Sequence, residues 1–153
     1  MLEFNYDLNY KELDFTDEET RKLYRIGRGE QGVLLVRPYT DDICAHWRFK
    51  TPEIAVESST HIYGMYLDYH DDKDFIGMDM CRKFLEMGFT RARRYANHND
   101  GKKYDDDGNI RPQEPDHATS IYAQSAGIFK KVRDIVAKSE TYVMMRKQWR
   151  SSE

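Results

Sequence analysis

The sequence predicts a mainly α-helical α+β fold in one domain that spans residues 1–153. Two long stretches repeat apolar residues at the helical period of about 3.6, and a third, shorter stretch does the same further on. A run of β-branched and aliphatic residues that ends at a proline is typical of a short strand. We therefore expect two long central helices, a third helix packed against them, and a small antiparallel sheet near residues 33–49.

The first third of the chain contains one helix signal and the main strand signal. Thr16, with Glu19 three residues later, is a capping box that opens a short helix, and Gly27 ends it. Residues 33–36 are predicted to form a strand closed by a proline two residues later. Residues 23–26 fit either the end of the helix or a hairpin partner of that strand.

The two long helices follow. A Thr-Pro pair at residues 51–52 supplies an N-cap and a proline at the first helical position, which predicts a helix over residues 52–69. Apolar residues then recur along residues 73–97, where Gly77 and Gly88 weaken the helix locally. These two segments form the predicted centre of the fold.

The last third of the chain predicts a turn and two further helices. Residues 102–111 resemble a small exposed hairpin around an Asp-Gly turn. Pro115 is expected to open the third helix. Ser139 is expected to cap a last short helix that ends near Trp149.

Composition predicts a cytoplasmic protein without a membrane segment. No apolar run approaches the roughly 18 residues that a membrane span requires, and the N-terminus lacks the basic and apolar regions of a signal peptide. Cys44 and Cys81 lie far apart without a CxxC partner, so we expect both to be reduced. No motif indicates a metal, a cofactor or a catalytic residue.

The charged residues are distributed unevenly, although the net charge is only −3. Residues 82–103 contain seven basic and two acidic side chains, whereas residues 68–79 contain five aspartates and one lysine. Local balance governs recognition more than the total does. We expect one basic surface and one acidic surface.

The glycine-rich segment Gly27, Gly29 and Gly32 matches the GxGxxG pattern. A dinucleotide loop must open a helix, so that phosphate meets free N–H groups there, but these glycines lead into the predicted strand. Two interpretations remain: a turn whose dihedrals only glycine adopts readily, or a loop that contacts phosphate.

Residues 46–50 (HWRFK) alternate cations with aromatic residues just before a predicted helix N-cap. In an extended conformation the cations lie on one side and the two rings on the other. The segment is either an amphipathic strand with its rings in the core, or a site whose cations meet phosphates beside a helix start.

Residues 90–98 (TRARRYANH) are the strongest local signal for a function. Lys83 and Arg94 lie eleven residues apart, which is three helical turns, and therefore share a stripe of the helix. Arginine forks suit phosphate oxygens. The alternative is a solvated face, or one that pairs with the acidic residues 68–79.

Four segments together suggest a family: GRGEQGVLLV at residues 27–36, HWRFKTPEIA at 46–55, GMDM at 77–80 and TRARRYANH at 90–98. With these motifs the chain resembles domain-of-unknown-function family 4385, small uncharacterised proteins of bacteria and of tailed phages of cyanobacteria. The resemblance covers most of the chain. It implies an intracellular, virus-encoded or bacterial protein, and it implies no reaction, fold or catalytic residue.

Three functions remain open. The first is an accessory protein that binds DNA, RNA or another polyanion, with phosphate contacts and stacking rings. The second is an enzyme or sensor for a phosphorylated small molecule held by the glycine loop, and the third is a module that binds a host or phage protein. The residues expected to contact nucleic acid or phosphate are His46, Trp47, Arg48, Lys50, Lys83, Arg91, Arg93, Arg94, Tyr95, His98, Lys102 and Lys103.

Overall fold

The computed structural model describes residues 2–153, and its regular structure is helical. The described residues form a short 3₁₀ turn at Tyr10–Glu12 and the helices α1 (Glu18–Arg21), α2 (Tyr39–Cys44), α3 (Pro52–Asp71), α4 (Phe75–Asn97), α5 (Ile121–Ala137) and α6 (Glu140–Ser152). Helices α3, α4 and α5 pack on one another, and α2 and α6 pack against α4. The two long helices thus form where they were predicted, and the third forms with a later start.

Helix α4 is the centre of the fold, because it is buried on nearly every side over its first fourteen residues. Its two internal glycines lie at the closest helix contacts. A Cβ on Gly77 would lie 2.4 Å from the Tyr69 ring of α3, and one on Gly88 would lie 2.4 Å from the Phe129 ring of α5. Glycines that weaken an isolated helix therefore allow this one to pack closely against its neighbours.

Side-chain caps set the starts of the main helices. The Thr51 hydroxyl accepts a hydrogen bond from the Ile54 N–H at 3.2 Å, as the Thr-Pro pair predicted. Asp74 caps α4 by accepting from the Gly77 N–H at 3.2 Å. Each cap satisfies an N–H group that has no partner within its helix.

The predicted antiparallel sheet near residues 33–49 is wrong, because the described chain contains no β-strand. Residues 33–36 instead form successive turns held by Thr40, whose hydroxyl donates to the Val33 carbonyl at 2.8 Å and accepts from the Val36 N–H at 3.0 Å. Further along, the Ser58 hydroxyl on α3 bonds both the His46 carbonyl and the Arg48 N–H. Side chains thus satisfy backbone groups for which a strand partner was expected.

Two helix starts also differ from the prediction. Asp17, not Thr16, caps α1 by accepting from the Thr20 N–H at 3.0 Å, and the helix has only four residues. Residues 115–120 form turns, and α5 begins after Ser120, whose hydroxyl accepts from the Ala123 N–H. A proline can open a helix, but here a hydroxyl cap lies five residues later.

The expected hairpin at residues 102–111 is reduced to one antiparallel bridge between Tyr104 and Ile110. The Asp105 N–H donates to the Asn109 carbonyl at 2.9 Å, which closes the turn. The last helix was predicted at Ser139 and runs to Ser152.

The N-terminal segment wraps over α4 and α6 and closes one end of the core. The Trp149 indole donates to the Tyr24 carbonyl at 3.0 Å, and Arg150 donates to the Gly27 carbonyl at 2.8 Å. Buried apolar residues form one cluster that extends from Phe4 to Tyr142. Both ends of the chain are therefore held against the same helices.

Candidate functional site

An aromatic groove lies where the segment after α2 meets the end of α4 and the start of α5. Its cavity measures about 390 Å³, and its lining residues are Trp47, Arg48, Phe49, Lys50, Ile54, Tyr95 and Tyr122. The ring of Phe49 lies 5.7 Å from that of Tyr95 and 6.4 Å from that of Tyr122. The two tyrosine rings are 5.4 Å apart. These half-buried rings form a continuous aromatic wall.

Hydrogen bonds to neighbouring helices hold this wall in place. The Trp47 indole N–H donates to the Phe84 carbonyl of α4 at 3.0 Å. The Arg48 N–H donates to the Ser58 hydroxyl at 3.0 Å, and that hydroxyl donates to the His46 carbonyl at 2.7 Å. His46 and Arg48 are thus tied to α3 and Trp47 to α4, so this part of the wall is positioned before any ligand arrives.

The groove presents positive charge without a matching acid. Arg48 and Lys50 are exposed, and neither forms an ion pair with any residue between 2 and 153. All of the groove's described lining side chains are aromatic, apolar or cationic. Rings beside unpaired cations suit a ligand that combines flat π surfaces with negative charge.

A second, smaller cavity of about 280 Å³ shares Arg48 with the groove. There the exposed rings of His46 and His61 are stacked with their centroids 3.6 Å apart, next to Glu57 and Ser58. His46 therefore lies beside the groove and does not line it.

The basic stretch of α4 is divided between two environments. Arg91 lines a separate cavity with Glu30. The exposed Arg94 also lies near the Glu30 carboxylate. Burial raises the pKa of Glu30, and the hydrogen bond from Thr90 and the charges of Arg91 and Arg94 partly offset that rise. Arg93 donates to the His117 carbonyl at 3.0 Å.

The alternative interpretation, in which Arg94 pairs with the acidic residues 68–79, is wrong. Asp74 of that segment pairs with Arg21 at 2.7 Å, and Asp79 pairs with Arg82 at 2.8 Å. Arg94 forms no ion pair within residues 2–153. His98 is only 4% exposed, whereas Lys102 is exposed in the loop after α4. Lys103 lies over the Tyr104 ring, 5.5 Å from its centroid.

Lys83, which we expected on the surface, is completely buried. Its ammonium nitrogen donates to the Gln31 carbonyl at 2.6 Å and lies 4.9 Å from the centroids of the Phe4 and Tyr24 rings. Burial lowers the pKa of Lys83 to about 7, although Asp79 partly offsets the effect. The N-terminal segment covers Lys83, whereas Arg94 is exposed, so one helical stripe passes from the interior to the surface.

Asp79 is buried beside Lys83 in a polar cluster. It accepts hydrogen bonds from Tyr24, from Arg82 at 2.8 Å and from Tyr142 at 2.6 Å. Burial alone would raise the pKa of Asp79, but the charges of Arg82 and Lys83 and these hydrogen bonds lower it to about 2. The same contacts, together with burial, raise the pKa of both tyrosines. Asp79 is therefore an ionised acceptor inside the core.

The glycine loop forms a series of turns in this fold. Gly27, Gly29 and Gly32 have φ values of 69°, 52° and 76°, which other residues adopt at a cost. Its carbonyls accept hydrogen bonds from inside the protein: Arg82 donates to Gly29, and Lys83 donates to Gln31. A phosphate loop needs free N–H donors, but the N–H groups of residues 28 and 32 are bonded to the side chains of residues 31 and 6.

The structure does not assemble the residues expected for a phosphorylated small ligand. His46 and Arg48 line one cavity and the glycine loop lines another, and Arg94, the remaining residue expected at such a site, lines neither. Within the described part of the chain, no group of three His, Cys, Asp or Glu side chains could hold a metal ion. Among the same residues, none of the helices combines the length and the apolar character that a membrane span requires. Cys44 and Cys81 are free thiols.

Sequence reasoning missed part of the groove. Phe49, Ile54 and Tyr122 are not among the residues that the sequence predicted to contact nucleic acid or phosphate. All three line the groove. A signal existed for Tyr122, because it lies two residues after the Ser120 cap, where a helix start is often at the surface.

The fold and its groove define a small all-helical protein with an aromatic surface recess flanked by cations. The chain belongs to the domain of unknown function family DUF4385, whose model matches residues 5–152. The resemblance that the sequence motifs suggested is thereby confirmed. No match to this chain was found among curated proteins or among solved structures.

Proposed function

We propose that this protein binds single-stranded nucleic acid in the aromatic groove. The observation that supports the proposal most directly is the placement of the Phe49, Tyr95 and Tyr122 rings, whose centroids lie within 6.4 Å of one another, beside Arg48 and Lys50. Proteins that bind single strands combine rings on which bases stack with cations that contact the backbone.

The shape of the groove favours unpaired bases over a duplex. Its volume of about 390 Å³ is within the range of small-ligand sites, and in a duplex the faces of the bases are stacked on their neighbours. One or two bases of a flexible strand can enter the groove and stack on its tyrosines. Arg48 and Lys50, which are both exposed, then contact phosphates.

The net charge of the whole chain does not by itself favour nucleic-acid binding. A net charge of −3 gives no general attraction for polyanions, so binding depends on the local cations. We expect an affinity that falls as salt rises, because phosphate contacts release counterions.

The test is a titration of labelled single-stranded DNA, single-stranded RNA and duplex DNA with the full chain at two salt concentrations. We expect single strands to bind more tightly than duplex. Tyr122→Ala should weaken binding by about 1–3 kcal/mol, since it removes one stacking ring. Tyr122→Phe is the matched control, because it keeps the ring and should retain most of the affinity.

Two results would contradict the proposal. One is the absence of strand binding at low salt, and the other is equal affinity in wild type and Tyr122→Ala. If a protein partner binds the groove in place of nucleic acid, captured complexes persist after nuclease treatment and the oligonucleotide titrations remain flat.

A further inference from the structure

A further cavity lies on the other side of α4, in a cleft between α4, α5 and α6. Its volume is about 550 Å³. Cationic side chains dominate its described lining, which consists of Arg82, Glu86, Arg133, Ala137, Tyr142, Val143, Arg146, Lys147 and Arg150. We call this the basic cleft. It shares no residue with the aromatic groove.

Helical periodicity explains why these residues meet. On α6, Tyr142, Arg146 and Arg150 recur every four residues and therefore share one face. Arg82 and Glu86 of α4 have the same spacing. Each helix thus turns one row of side chains into the cleft.

Some of these cations already have partners. Arg133 forms ion pairs with Glu86 and, at 2.8 Å, with Asp134. Arg150 lies 3.6 Å from a carboxylate oxygen of Glu153 and donates to the Gly27 carbonyl. These contacts fix the positions of both guanidinium groups and leave the cleft with an excess of positive charge.

The two cations at the mouth of the cleft are unpaired. Within residues 2–153, the side chains of Arg146 and Lys147 form no ion pair or hydrogen bond. Arg146 is half-buried and Lys147 is exposed. Both side chains are therefore available to a ligand that enters the cleft.

The wall formed by Arg82 carries the second, independent observation. Arg82 is only 8% exposed; its Nε donates to Asp79 and its Nη1 donates to the Gly29 carbonyl, each at 2.8 Å. Its Nη2 is buried and has no hydrogen-bond partner among the described residues. Buried guanidinium donors are nearly always satisfied in native proteins, so an unpartnered one requires an explanation. The Arg82 guanidinium therefore carries, at the inner wall of the cleft, one hydrogen-bonding group that no described residue satisfies.

We propose that the basic cleft binds the phosphoryl group of a small organic phosphate. Arg82 and Arg150 form its fixed inner wall, and Arg146 and Lys147 close over the anion from α6. Arginine forks match the geometry of phosphate oxygens, and charge-assisted hydrogen bonds of this kind are the strong ones.

The cleft also has room for the organic part of such a ligand. Ala137 and Val143 form an apolar wall beside the cations, and a volume of about 550 Å³ exceeds what a phosphoryl group alone requires. The ligand class is therefore a phosphorylated small molecule. This site differs from the one first considered for such a ligand, at the glycine loop.

The first experiment uses pyrophosphate as the probe. The melting temperature of the full chain is measured with increasing pyrophosphate, against sodium chloride at equal ionic strength, and the binding heat is measured by calorimetry. A saturable rise in melting temperature with one binding site per chain supports the proposal. A rise that chloride reproduces, or no binding heat, overturns it.

Variants then locate the site. Arg146→Gln is expected to weaken pyrophosphate binding about tenfold, because one charge-assisted contact is lost. Lys131→Gln is the matched control, since Lys131 is an exposed cation of α5 that does not line the cleft. Circular dichroism should show unchanged helix content in both variants. Equal loss of affinity in the two variants would show that binding is a general charge effect, and would overturn the proposal.

A final arm separates the cleft from the aromatic groove. Tyr122→Ala should bind pyrophosphate as the wild type does, even where it has lost oligonucleotide binding. If Arg146→Gln loses strand binding while pyrophosphate binds unchanged, the cleft is part of a nucleic-acid surface and the small-phosphate proposal is wrong.

Discussion

Replacing Lys83 with methionine should remove a distinct pH dependence from the stability of this protein. Lys83 is completely buried, and burial lowers its pKa from 10.5 to about 7. In the unfolded chain the same ammonium keeps a pKa of about 10.4. Between these two values the unfolded state binds more protons than the folded state, so the free energy of unfolding rises with pH.

The magnitude follows from this pKa difference. From pH 7 to about pH 8.5 the linkage relation gives a gain of about 1.6 kcal/mol for one lysine with a folded pKa of about 7. The window must end there because burial also raises the pKa of Cys81 and Tyr24. Those two groups favour unfolding as pH rises through their unfolded values of about 8.5–10.

The measurement is chemical denaturation at the two ends of this pH window, about pH 7 and about pH 8.5, and at its midpoint. Wild type should gain about 1.6 kcal/mol, and Lys83→Met should stay nearly flat. Methionine has a similar length and no ammonium, but it leaves the Gln31 carbonyl without its donor. The slope with pH is therefore the readout, not the absolute stability.

Lys131→Met serves as the control, because this exposed lysine on α5 should leave the wild-type slope unchanged. If wild type and Lys83→Met gain the same free energy between the two ends of the window, Lys83 does not carry a lowered pKa. The reasoning from its burial would then be refuted.

Three further predictions concern packing and the buried charges. Gly88→Ala should destabilise the fold by about 1–3 kcal/mol, because its Cβ would lie 2.4 Å from the Phe129 ring. The matched variant Gly127→Ala should stabilise the fold by about 0.5–1 kcal/mol, because a Cβ there has nothing within 4 Å. Denaturant titrations that show the same sign for both variants would contradict this prediction. Asp74→Ala removes the cap of α4 and the partner of Arg21, and thermal unfolding should show a loss of about 2–4 kcal/mol. Asp79→Asn leaves the Arg82 guanidinium buried without its counter-charge, and denaturation should show a loss of about 3–5 kcal/mol, with a loss below 1 kcal/mol indicating that Arg82 reaches solvent.

The lowered pKa of Asp79 also predicts how the free energy of unfolding falls in acid. Its pKa is lowered to about 2 in the folded state, against about 3.9 when unfolded. The stability that it contributes is complete above the unfolded pKa and is lost as pH falls from about 4 towards 2. Asp79→Asn should lack this loss, which acid titration followed by circular dichroism measures.

Local signals in the sequence predicted the long helices because those signals act over one or two turns. Thr51 with Pro52 set the start of α3, and apolar repeats set the course of α4. The family resemblance likewise rested on contiguous motifs. No tertiary contact is needed to interpret a cap or a 3.6-residue period.

The sheet prediction was wrong because side chains, and not a second strand, satisfy the backbone groups of the predicted strands. Nothing in the local sequence marks those side chains as partners. Thr40 satisfies the turns at residues 33–36, and Ser58 of α3 satisfies residues 46–48. A β-branched run favours a strand only when a second strand is available to pair with it. Here no second strand is present in the described chain, and side chains of the helices α2 and α3 bond to the backbone instead.

The sequence by itself determined where the two long helices form and where cations and rings concentrate. Only the tertiary structure decided which of those charged side chains are exposed. Lys83 and Arg94 share a helical stripe, yet the N-terminal segment buries the first and leaves the second exposed. Likewise, Phe49, Tyr95 and Tyr122 are far apart in the chain and meet only because α4 and α5 pack side by side. Burial depends on what the rest of the chain places over a residue, and a local pattern carries no record of that.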